Sequence, residues 1–246
     1  YETIRYYGRQ IELTGVKLTL NQTVTGKMLD QGDFDGAVLA TGIIPRKPMI
    51  EGIDHPKVLT YLDVMNGAKV GKKVAVIGAG GIGFDMCEVL IHQGPSIVQD
   101  IPSFMAEWGI DMSFKARGGV EGVRPKFNLS PRKVYLLQRK AAKVGGSLGK
   151  TTGWIHRMEL NRKGVQMFSG CEYQRIDDQG LHLLIAGNPK LLAVDNVVIC
   201  AGQESNRKLV DQITRLPVHI IGGADKASEL DAKRAIDQGA RLAAGF

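Results

Sequence analysis

Residues 74–83 read Val-Ala-Val-Ile-Gly-Ala-Gly-Gly-Ile-Gly, and this stretch decides the fold. A short apolar strand runs directly into the pattern G-x-G-x-x-G, whose glycines are Gly78, Gly80 and Gly83. The apolar residues that follow recur every three to four positions, which predicts a helix over 82–92. A strand, a glycine turn and a helix in this order are typical of a dinucleotide-binding βα unit.

Each glycine of this pattern has its own predicted role. Gly78 permits the turn that leaves the strand, Gly80 lets the backbone approach a phosphate, and Gly83 lets the helix pack closely on the sheet. The amides of Gly81 and Ile82 open the helix, where free N–H groups favour a pyrophosphate. A glycine-rich turn without any ligand is the alternative, and the flanking strand and apolar helix argue against it.

The composition and the cysteines limit the class of protein. Of the 246 residues, 43% are hydrophobic and 23% are charged, as in an ordinary globular chain. No run of about 18 apolar residues is present, so a membrane span is not expected. Cys87, Cys171 and Cys200 are far apart, which predicts a cytoplasmic chain with cysteines in its core rather than a disulfide, a zinc site or a dithiol centre.

The charge is positive but does not predict a nucleic-acid partner. The formal net charge is +7 and the isoelectric point is near 9.3. No basic run is interleaved with aromatic residues, and Lys and Arg are densest from Arg132 to Lys163, downstream of the glycine pattern. A cofactor that carries several phosphates explains this distribution more simply than DNA or RNA does.

Alternating strands and helices predict an α/β fold with a mostly parallel sheet. Four prolines and a Gly-Gly pair mark 93–131 as an insertion without clear periodicity. The tip of one hairpin is Asp178-Gln-Gly180. The predicted strands cover 16–20, 37–41, 74–77, 133–137, 165–168, 171–177, 180–185, 194–201 and 218–221, and the other predicted helices cover 2–14, 152–162 and about 230–244.

The residue after the second strand distinguishes NAD from NADP. A carboxylate there accepts a hydrogen bond from the ribose 2′-OH of NAD, and Asp100 stands at the right distance, although its strand would be short and enclosed by prolines. The better strand is 133–137, which is followed by Arg139 and Lys140. Two cations suit the 2′-phosphate of NADPH, so this strand favours NADPH over NADH.

The loop over 145–153 is rich in glycine but departs from the phosphate loop of nucleotide triphosphatases. Val144 stands where the first glycine of G-x-x-x-x-G-K-[ST] belongs, and no strand precedes it. We expect this loop to line the nicotinamide half of the cofactor, with Thr151 or Thr152 as the N-cap of the next helix.

With these elements placed, the order of motifs resembles the flavoprotein reductases that contain two dinucleotide folds. Finer matches resemble one family among them, the bacterial NADPH-dependent 2,4-dienoyl-CoA reductases, in their C-terminal part. The matching stretches are Ala40-Thr-Gly42 with Pro45-Arg46, Gly52-Ile-Asp-His-Pro-Lys57, Tyr61-Leu-Asp63, Gly81-Ile-Gly-Phe-Asp85, Glu107-Trp-Gly-Ile-Asp111, Leu137-Gln-Arg-Lys140, Gly149-Lys-Thr-Thr-Gly-Trp154, Val198-Ile-Cys-Ala-Gly-Gln-Glu204 and Gly222-Gly-Ala-Asp225.

The resemblance implies a Rossmann-like NADPH-binding domain inserted into an incomplete FAD-binding α/β domain. The NADPH domain would cover 66–204 with its insertion at 93–131, and the partial FAD domain would cover 1–65 and 205–246. The first glycine pattern of the FAD fold is expected upstream of Tyr1. In this family FMN, a four-cysteine iron–sulfur cluster and the acyl-CoA site belong to a barrel that these residues do not contain.

The resemblance also implies roles for further residues. Ala201 and Gly202 would lie along the nicotinamide, where a larger side chain would block the approach to FAD. Asp225 would accept a hydrogen bond from FAD hydroxyl groups, unless it is only a helix cap, and the helix after Glu229 would stabilise reduced flavin. The remaining residues expected to meet FAD are Val24 near the adenine, Thr41 and Gly42 near the pyrophosphate, and Gly223.

The function implied by the resemblance is electron input. Hydride would pass from NADPH to FAD, and the electrons would continue through the iron–sulfur cluster and FMN to an unsaturated acyl-CoA of fatty acid β-oxidation. Two alternatives remain open. One is a related enoate or amine flavin oxidoreductase, and the other is a nucleotide-binding module without chemistry. A short-chain dehydrogenase is disfavoured, because none of the six tyrosines is followed by Lys four residues later.

Overall fold

The computed structural model describes residues 1–228 and 231–246. The chain forms two compact units, Pro45–Glu204 and the pair of segments Tyr1–Ile44 and Ser205–Phe246. In the described residues the helices are α1 (Glu2–Leu13), α2 (Gly26–Asp30), α3 (Tyr61–Met65), α4 (Gly81–Ile91), α5 (Ile101–Trp108), α6 (Gly153–Arg162) and α7 (Ala232–Ala243).

The strands confirm a mixed α/β fold. They are β1 (Ala37–Leu39), β2 (Ile43–Pro45), β3 (Val58–Thr60), β4 (Lys73–Ile77), β5 (Lys133–Leu137), β6 (Gln166–Phe168), β7 (Cys171–Asp177), β8 (Gly180–Ile185), β9 (Asn188–Leu192), β10 (Asn196–Ile199), β11 (Gln203–Ser205) and β12 (Val218–Ile220). Short 3₁₀ turns cover Arg117–Gly119, Val210–Gln212 and Gly222–Ala224.

The unit Pro45–Glu204 is built on a five-stranded sheet in the order β3-β10-β4-β5-β6. All four strand pairs in it are parallel. Strand β4 is buried on both faces: Val74 and Val76 pack with α4 and α6, whereas Ala75 and Ile77 pack with the strands of a second sheet. Burial on both faces explains why residues 74–77 are all apolar, whereas a strand with one exposed face alternates apolar and polar residues.

The second sheet of this unit is the antiparallel meander β7-β8-β9. The predicted hairpin is confirmed, with Asp177 paired to Gly180 across its tip. Strand β9 was not predicted, because it begins Asn-Pro-Lys and only its last residue is buried. Leu181, Leu183 and Leu192 of the meander complete the core on this face of the parallel sheet.

The insertion at 93–131 is mostly irregular, as predicted, and contains the short helix α5. The carboxylate of Asp100 caps α5 by accepting from the amide of Ser103 at 3.2 Å. Lys163 at the end of α6 joins the insertion to α6, since its ammonium lies 3.0 Å from Glu107 of α5 and 2.9 Å from Glu159 of α6.

The unit formed by Tyr1–Ile44 and Ser205–Phe246 contains the parallel pair β1–β12, flanked in sequence by α1 and α7. Helix α1 confirms the predicted helix at 2–14. The predicted strand at 16–20 is wrong: these residues form no strand, and all five are exposed, so their alternation has no core face to meet. Only part of the last predicted helix is described, because Glu229 and Leu230 lie outside the described residues.

Residues 45–65 lie in the same unit as the glycine pattern, although the resemblance assigned them to the FAD-binding half. The reason is that β3 pairs with β10 and so extends the five-stranded sheet. Which cofactor each unit binds stays a prediction. In the described part of the chain, no helix combines the length and the apolarity needed to cross a membrane.

Candidate nucleotide-binding site

The glycine turn connects β4 to α4. Gly78 leaves the strand with φ +113°, a value that favours glycine. Gly80 is the N-cap of α4, in extended conformation and without a side chain to cap the helix. The amide of Phe84 is bonded to the carbonyl of Gly80 at 3.1 Å, so the amides before it begin the helix without intrahelical acceptors. The turn therefore offers N–H donors at the positive end of the helix dipole.

The glycines of the turn separate into two groups by what a side chain would meet. A Cβ at Gly78 would lie 2.3 Å from the carbonyl oxygen of Cys200, and one at Gly83 would lie 1.8 Å from that of Gly78. A Cβ at Gly80 or Gly81 would meet no atom within 4 Å. The fold itself requires the first pair of glycines. The second pair borders open space, which fits the approach of a phosphate to the backbone.

The strand register aligns the ends of three neighbouring strands. Ile77 of β4 lies opposite Leu137 of β5 and Ile199 of β10. The amide of Gly78 donates to Leu137 at 2.9 Å, and that of Cys200 donates to Ile77 at 2.8 Å. The glycine turn thus lies between the chain that leaves β5 and the chain that leaves β10. The strand order reverses at β4, and nucleotides bind at such switch points in α/β sheets.

Arg139 and Lys140 lie on the β5 side of the turn. Both side chains are exposed, and neither forms a salt bridge within the described part of the chain. The alternative residue, Asp100, does not follow the strand beside β4. It lies on a loop, where hydrogen bonds from Ser103 lower the pKa of its carboxyl and engage it as a cap. The structure therefore favours the strand that ends before the two cations as the second strand of the nucleotide fold.

Ala201 and Gly202 lie on the β10 side of the turn. Gly202 has φ +102°, and the amide of Arg46 donates to its carbonyl at 3.0 Å. The guanidinium of Arg46 donates to the carbonyl of Ala201 and lies 3.5 Å from where a Cβ of Gly202 would stand. The sequence pattern does not predict this role of Arg46, which belongs to the matching stretch Pro45-Arg46.

The glycine-rich loop at 145–153 packs against α4. A Cβ at Gly145 would lie 2.5 Å from the ring of Phe84, and the guanidinium of Arg157 donates to the Gly145 carbonyl at 2.8 Å. Thr152 is the N-cap residue of α6, but its hydroxyl makes no capping bond. Contact of this loop with the nicotinamide stays a prediction.

Four of the residues expected to meet FAD gather at the ends of β1 and β12. The hydroxyl of Thr41 donates to the carbonyl of Asn206 at 2.6 Å, and the backbone amide of Asn206 donates to the carbonyl of Gly42 at 3.0 Å. Gly223 is buried, and a Cβ there would lie 3.2 Å from the carbonyl carbon of Gly42. Val24 takes part in none of these hydrogen bonds and lies just before α2.

Asp225 belongs to the same group. Its carboxylate accepts from the side-chain amide of Gln238 on α7 at 2.9 Å and lies 3.7 Å from Arg207. It is not the cap of α7, because the N-cap residue there is Asp231, whose carboxylate accepts from the amide of Arg234. The predicted role toward FAD stays a prediction, as do the other site roles.

The three cysteines are buried free thiols, as predicted. Burial raises the pKa of Cys200 to about 12 and that of Cys87 further still. Thiols with such pKa values stay protonated near neutral pH, and the thiolate is the reactive form. The burial and the raised pKa of Cys87 and Cys200 thus disfavour thiol–disulfide exchange at these two residues.

Glu88 and His156 join α4 to α6 through a contact of 2.6 Å between Oε1 and Nδ1. Burial raises the pKa of the Glu88 carboxyl despite the histidine, with Asp85 and Glu159 adding like charge. A raised pKa means that the folded state binds the proton more tightly, so this group's contribution to stability falls as pH rises through the window above its ordinary value.

Glu88→Gln is expected to reduce that pH dependence, because glutamine keeps a hydrogen bond to His156 and does not titrate. The measurement is the midpoint of thermal unfolding as the pH rises above about 4.3, the ordinary pKa of glutamate, where a carboxyl with a raised pKa still keeps its proton. The parent midpoint should decline with pH more steeply than the variant midpoint. Equal slopes in the two proteins would show that Glu88 is not the titrating group.

The chain is similar to known proteins in both sequence and structure. Residues 4–224 match the pyridine nucleotide-disulphide oxidoreductase family. A cinnamate reductase of Clostridium sporogenes is 34% identical over 232 residues, which are 92% of this chain and 29% of that protein. A metal reductase of Desulforamulus reducens is 25% identical over 182 residues, which are 74% of this chain and 26% of that protein.

Among solved structures, a 2-naphthoyl-CoA reductase in complex with 2-naphthoyl-CoA is similar over the whole chain. The TM-score is 0.76 and the sequence identity 25%, with 100% of this chain and 32% of that chain covered. The chain therefore spans between a quarter and a third of the length of these relatives.

Proposed function

The chain belongs to the pyridine nucleotide-disulphide oxidoreductase family, and from that premise we propose that it binds NADPH and FAD and serves the transfer of a hydride from the nicotinamide to the flavin. The observation that carries the proposal is the open space at Gly80 and Gly81, beside amides that lack intrahelical acceptors. The packing of the chain does not require glycine at these two positions. A phosphate that approaches the backbone closely does require it, because a side chain would occupy the same space.

The residues on either side of the turn support one orientation of NADPH. Arg139 and Lys140 follow β5 and are free to bind a 2′-phosphate, so the adenosine half would lie on this side. Ala201 and Gly202 follow β10, and two such small residues suit the approach of the nicotinamide. Arg46 would keep these two residues in place through its bonds to their carbonyls.

The group at the ends of β1 and β12 supports FAD as the second cofactor. A Cβ at Gly42 would meet no atom within 4 Å, which leaves room for close approach of the pyrophosphate, whereas the buried Gly223 lets the chain pack closely on Gly42. Asp225 offers a carboxylate to hydroxyl groups of the cofactor. When bound, NADPH would supply the hydride and FAD would accept it, so the chemistry would belong to the cofactors. The protein's part is to bind and orient both and to keep water away.

For the whole protein we propose that the electrons continue through an iron–sulfur cluster and FMN to a conjugated unsaturated acyl-CoA, as in 2,4-dienoyl-CoA reductases. The similar protein of known structure is named for a reaction on an aromatic acyl-CoA, and the relative at 34% identity is named for cinnamate. Both names describe a carbonyl group conjugated to carbon–carbon double bonds. The cinnamate reductase gives a second candidate acceptor, an unsaturated acid without CoA.

The hydride step is tested by mixing the protein anaerobically with excess FAD and NADPH in two parallel samples, one with deuterium on one face of the nicotinamide and the other with deuterium on the opposite face. We expect flavin reduction faster than with free FAD, with deuterium removed from one face only, because a binding site presents a single face. A rate equal to that of free FAD, or loss of label from both faces, would contradict the proposal.

The acyl-CoA step is tested with the same mixture and a 2,4-dienoyl-CoA or cinnamate. In the proposed relay these 246 residues oxidise NADPH without reducing either acceptor, because the described residues contain no group of His, Cys, Asp and Glu suited to holding a metal. Formation of the reduced product by these residues alone would contradict the relay and require an acceptor site within them.

A further inference from the structure

The loop at 138–142 carries the two cations, and its first residue holds it in shape. We name residues 138–142 the cation loop. The amide of Gln138 donates to the carbonyl of Phe168 at 2.8 Å, and its carbonyl accepts from the amide of Cys171 at 3.0 Å. Gln138 therefore continues the pairing of β5 one residue beyond the strand, toward the segment that follows β6.

The side chain of Gln138 closes the cation loop. Its amide nitrogen donates to the carbonyl of Lys140 at 3.0 Å and to that of Ala142 at 2.7 Å. The carbonyl of Lys140 also accepts from the amide of Gly170 at 3.1 Å. Both hydrogens of one side-chain amide are thus used to fix carbonyls within the same short loop.

This arrangement fixes the backbone that carries the cations and leaves their side chains available. Arg139 and Lys140 are exposed, and no carboxylate within the described residues pairs with them. A loop held in one shape before a ligand arrives loses less conformational freedom on binding than a loop that must be ordered by the ligand. Only a ligand that contacts the two cations gains affinity from this lower entropic cost.

We propose that Gln138 is a positioning residue for the 2′-phosphate of NADPH and thereby a determinant of the preference for NADPH over NADH. This inference rests on the proposed function and assigns to Gln138 a role through its bonds to the carbonyls of Lys140 and Ala142. A merely structural glutamine would change the binding of both nucleotides alike, because NADPH and NADH share every group except the 2′-phosphate.

The variant that tests the role is Gln138→Met, which keeps the length of the side chain and removes its two donors. Its Kd for NADPH is expected to rise roughly fivefold to tenfold, the equivalent of one or two lost hydrogen bonds, with the Kd for NADH unchanged. Gln166→Met is the matched control, because Gln166 is exposed on β6 and its side chain makes no hydrogen bond in the described structure. Calorimetric titration measures both nucleotides, and thermal unfolding checks that each variant is folded.

A second comparison keeps the test independent of folding. In a Lys140→Ala, Arg139→Ala background, Gln138→Met should cause little further loss of NADPH affinity, since the cations it positions are gone. If Gln138→Met weakened NADPH and NADH binding equally, the positioning role would be rejected while the proposed function would stand. The same holds if its loss of NADPH affinity were fully additive in the triple variant. A parent chain that binds NADPH and NADH equally would instead reject the cofactor preference on which the inference rests.

Discussion

Gly83→Ala is expected to destabilise the unit Pro45–Glu204 severely, whereas Gly80→Ala is expected to leave it folded and to abolish tight NADPH binding. A methyl group at Gly83 would lie 1.8 Å from the Gly78 carbonyl oxygen, so the turn or the helix must shift. We expect a loss of roughly 3 kcal/mol or more in the free energy of unfolding, at the upper end of overpacking effects.

At Gly80 the same methyl group would meet no protein atom, and the backbone, with φ −84° and ψ −172°, suits any residue. The cost in stability should be less than about 1 kcal/mol, because alanine is only a poorer N-cap than glycine. The affinity for NADPH should fall by about a hundredfold or more, or roughly 3 kcal/mol, if the methyl group occupies the place of a phosphate.

Denaturant unfolding and calorimetric titration of both variants make the comparison, with each protein serving as the control for the other. A Gly80→Ala variant that keeps the NADPH affinity of the parent would show that no phosphate approaches this turn. A Gly83→Ala variant as stable as the parent would show that α4 can move away from the strand without cost.

Removing either cation after β5 is the second change with a large expected effect. Lys140→Ala and Arg139→Ala should each weaken NADPH binding by roughly 1.5–3 kcal/mol, about tenfold to a hundredfold, because each removes a charge-assisted contact to the 2′-phosphate. The affinity for NADH should not change. The loss should also shrink as salt increases, since both side chains are exposed and their charges are screened.

Lys69→Ala is the matched control for the two cations. Lys69 is exposed and precedes β4, so it lies toward the N-terminal ends of the parallel strands, whereas Arg139 and Lys140 follow a C-terminal end. The variant keeps the overall change in charge and should bind NADPH like the parent. Equal affinities of the parent for NADPH and NADH would contradict the assignment, and a loss in Lys69→Ala matching that in Lys140→Ala would reduce it to a general effect of net charge.

The sequence predicts well what local pattern controls. Few other structures explain an apolar run followed by closely spaced glycines and then by apolar residues at helical spacing. The structure confirms the strand predicted at 74–77 as β4 and the helix after the glycine turn as α4. The family match confirms the predicted class of protein, a pyridine nucleotide-dependent oxidoreductase. Of the two candidates for the second strand, the sequence favours 133–137 because it is longer and more apolar than the segment before Asp100. In the structure Asp100 caps α5.

What the sequence does not predict depends on pairing between distant segments. Strand β3 has three residues and joins the sheet only through β10, so its unit could not be assigned from its own composition. The strand expected at 16–20 alternates correctly but has no sheet to join. The roles of Arg46 and Gln138 lie in bonds to main-chain carbonyls, which any residue supplies and no motif records.

The interruption of one unit by the other has a consequence for synthesis on the ribosome. Strand β1 pairs Ala37 with Val218, so its partner emerges only after all of Pro45–Glu204 has been translated. The interrupting segment is continuous in sequence, and every strand of its parallel sheet is available before β12 exists. Because domains fold as units during translation, the nascent chain is expected to complete the nucleotide fold before β1 can pair with β12, since that pairing requires the C-terminal segment.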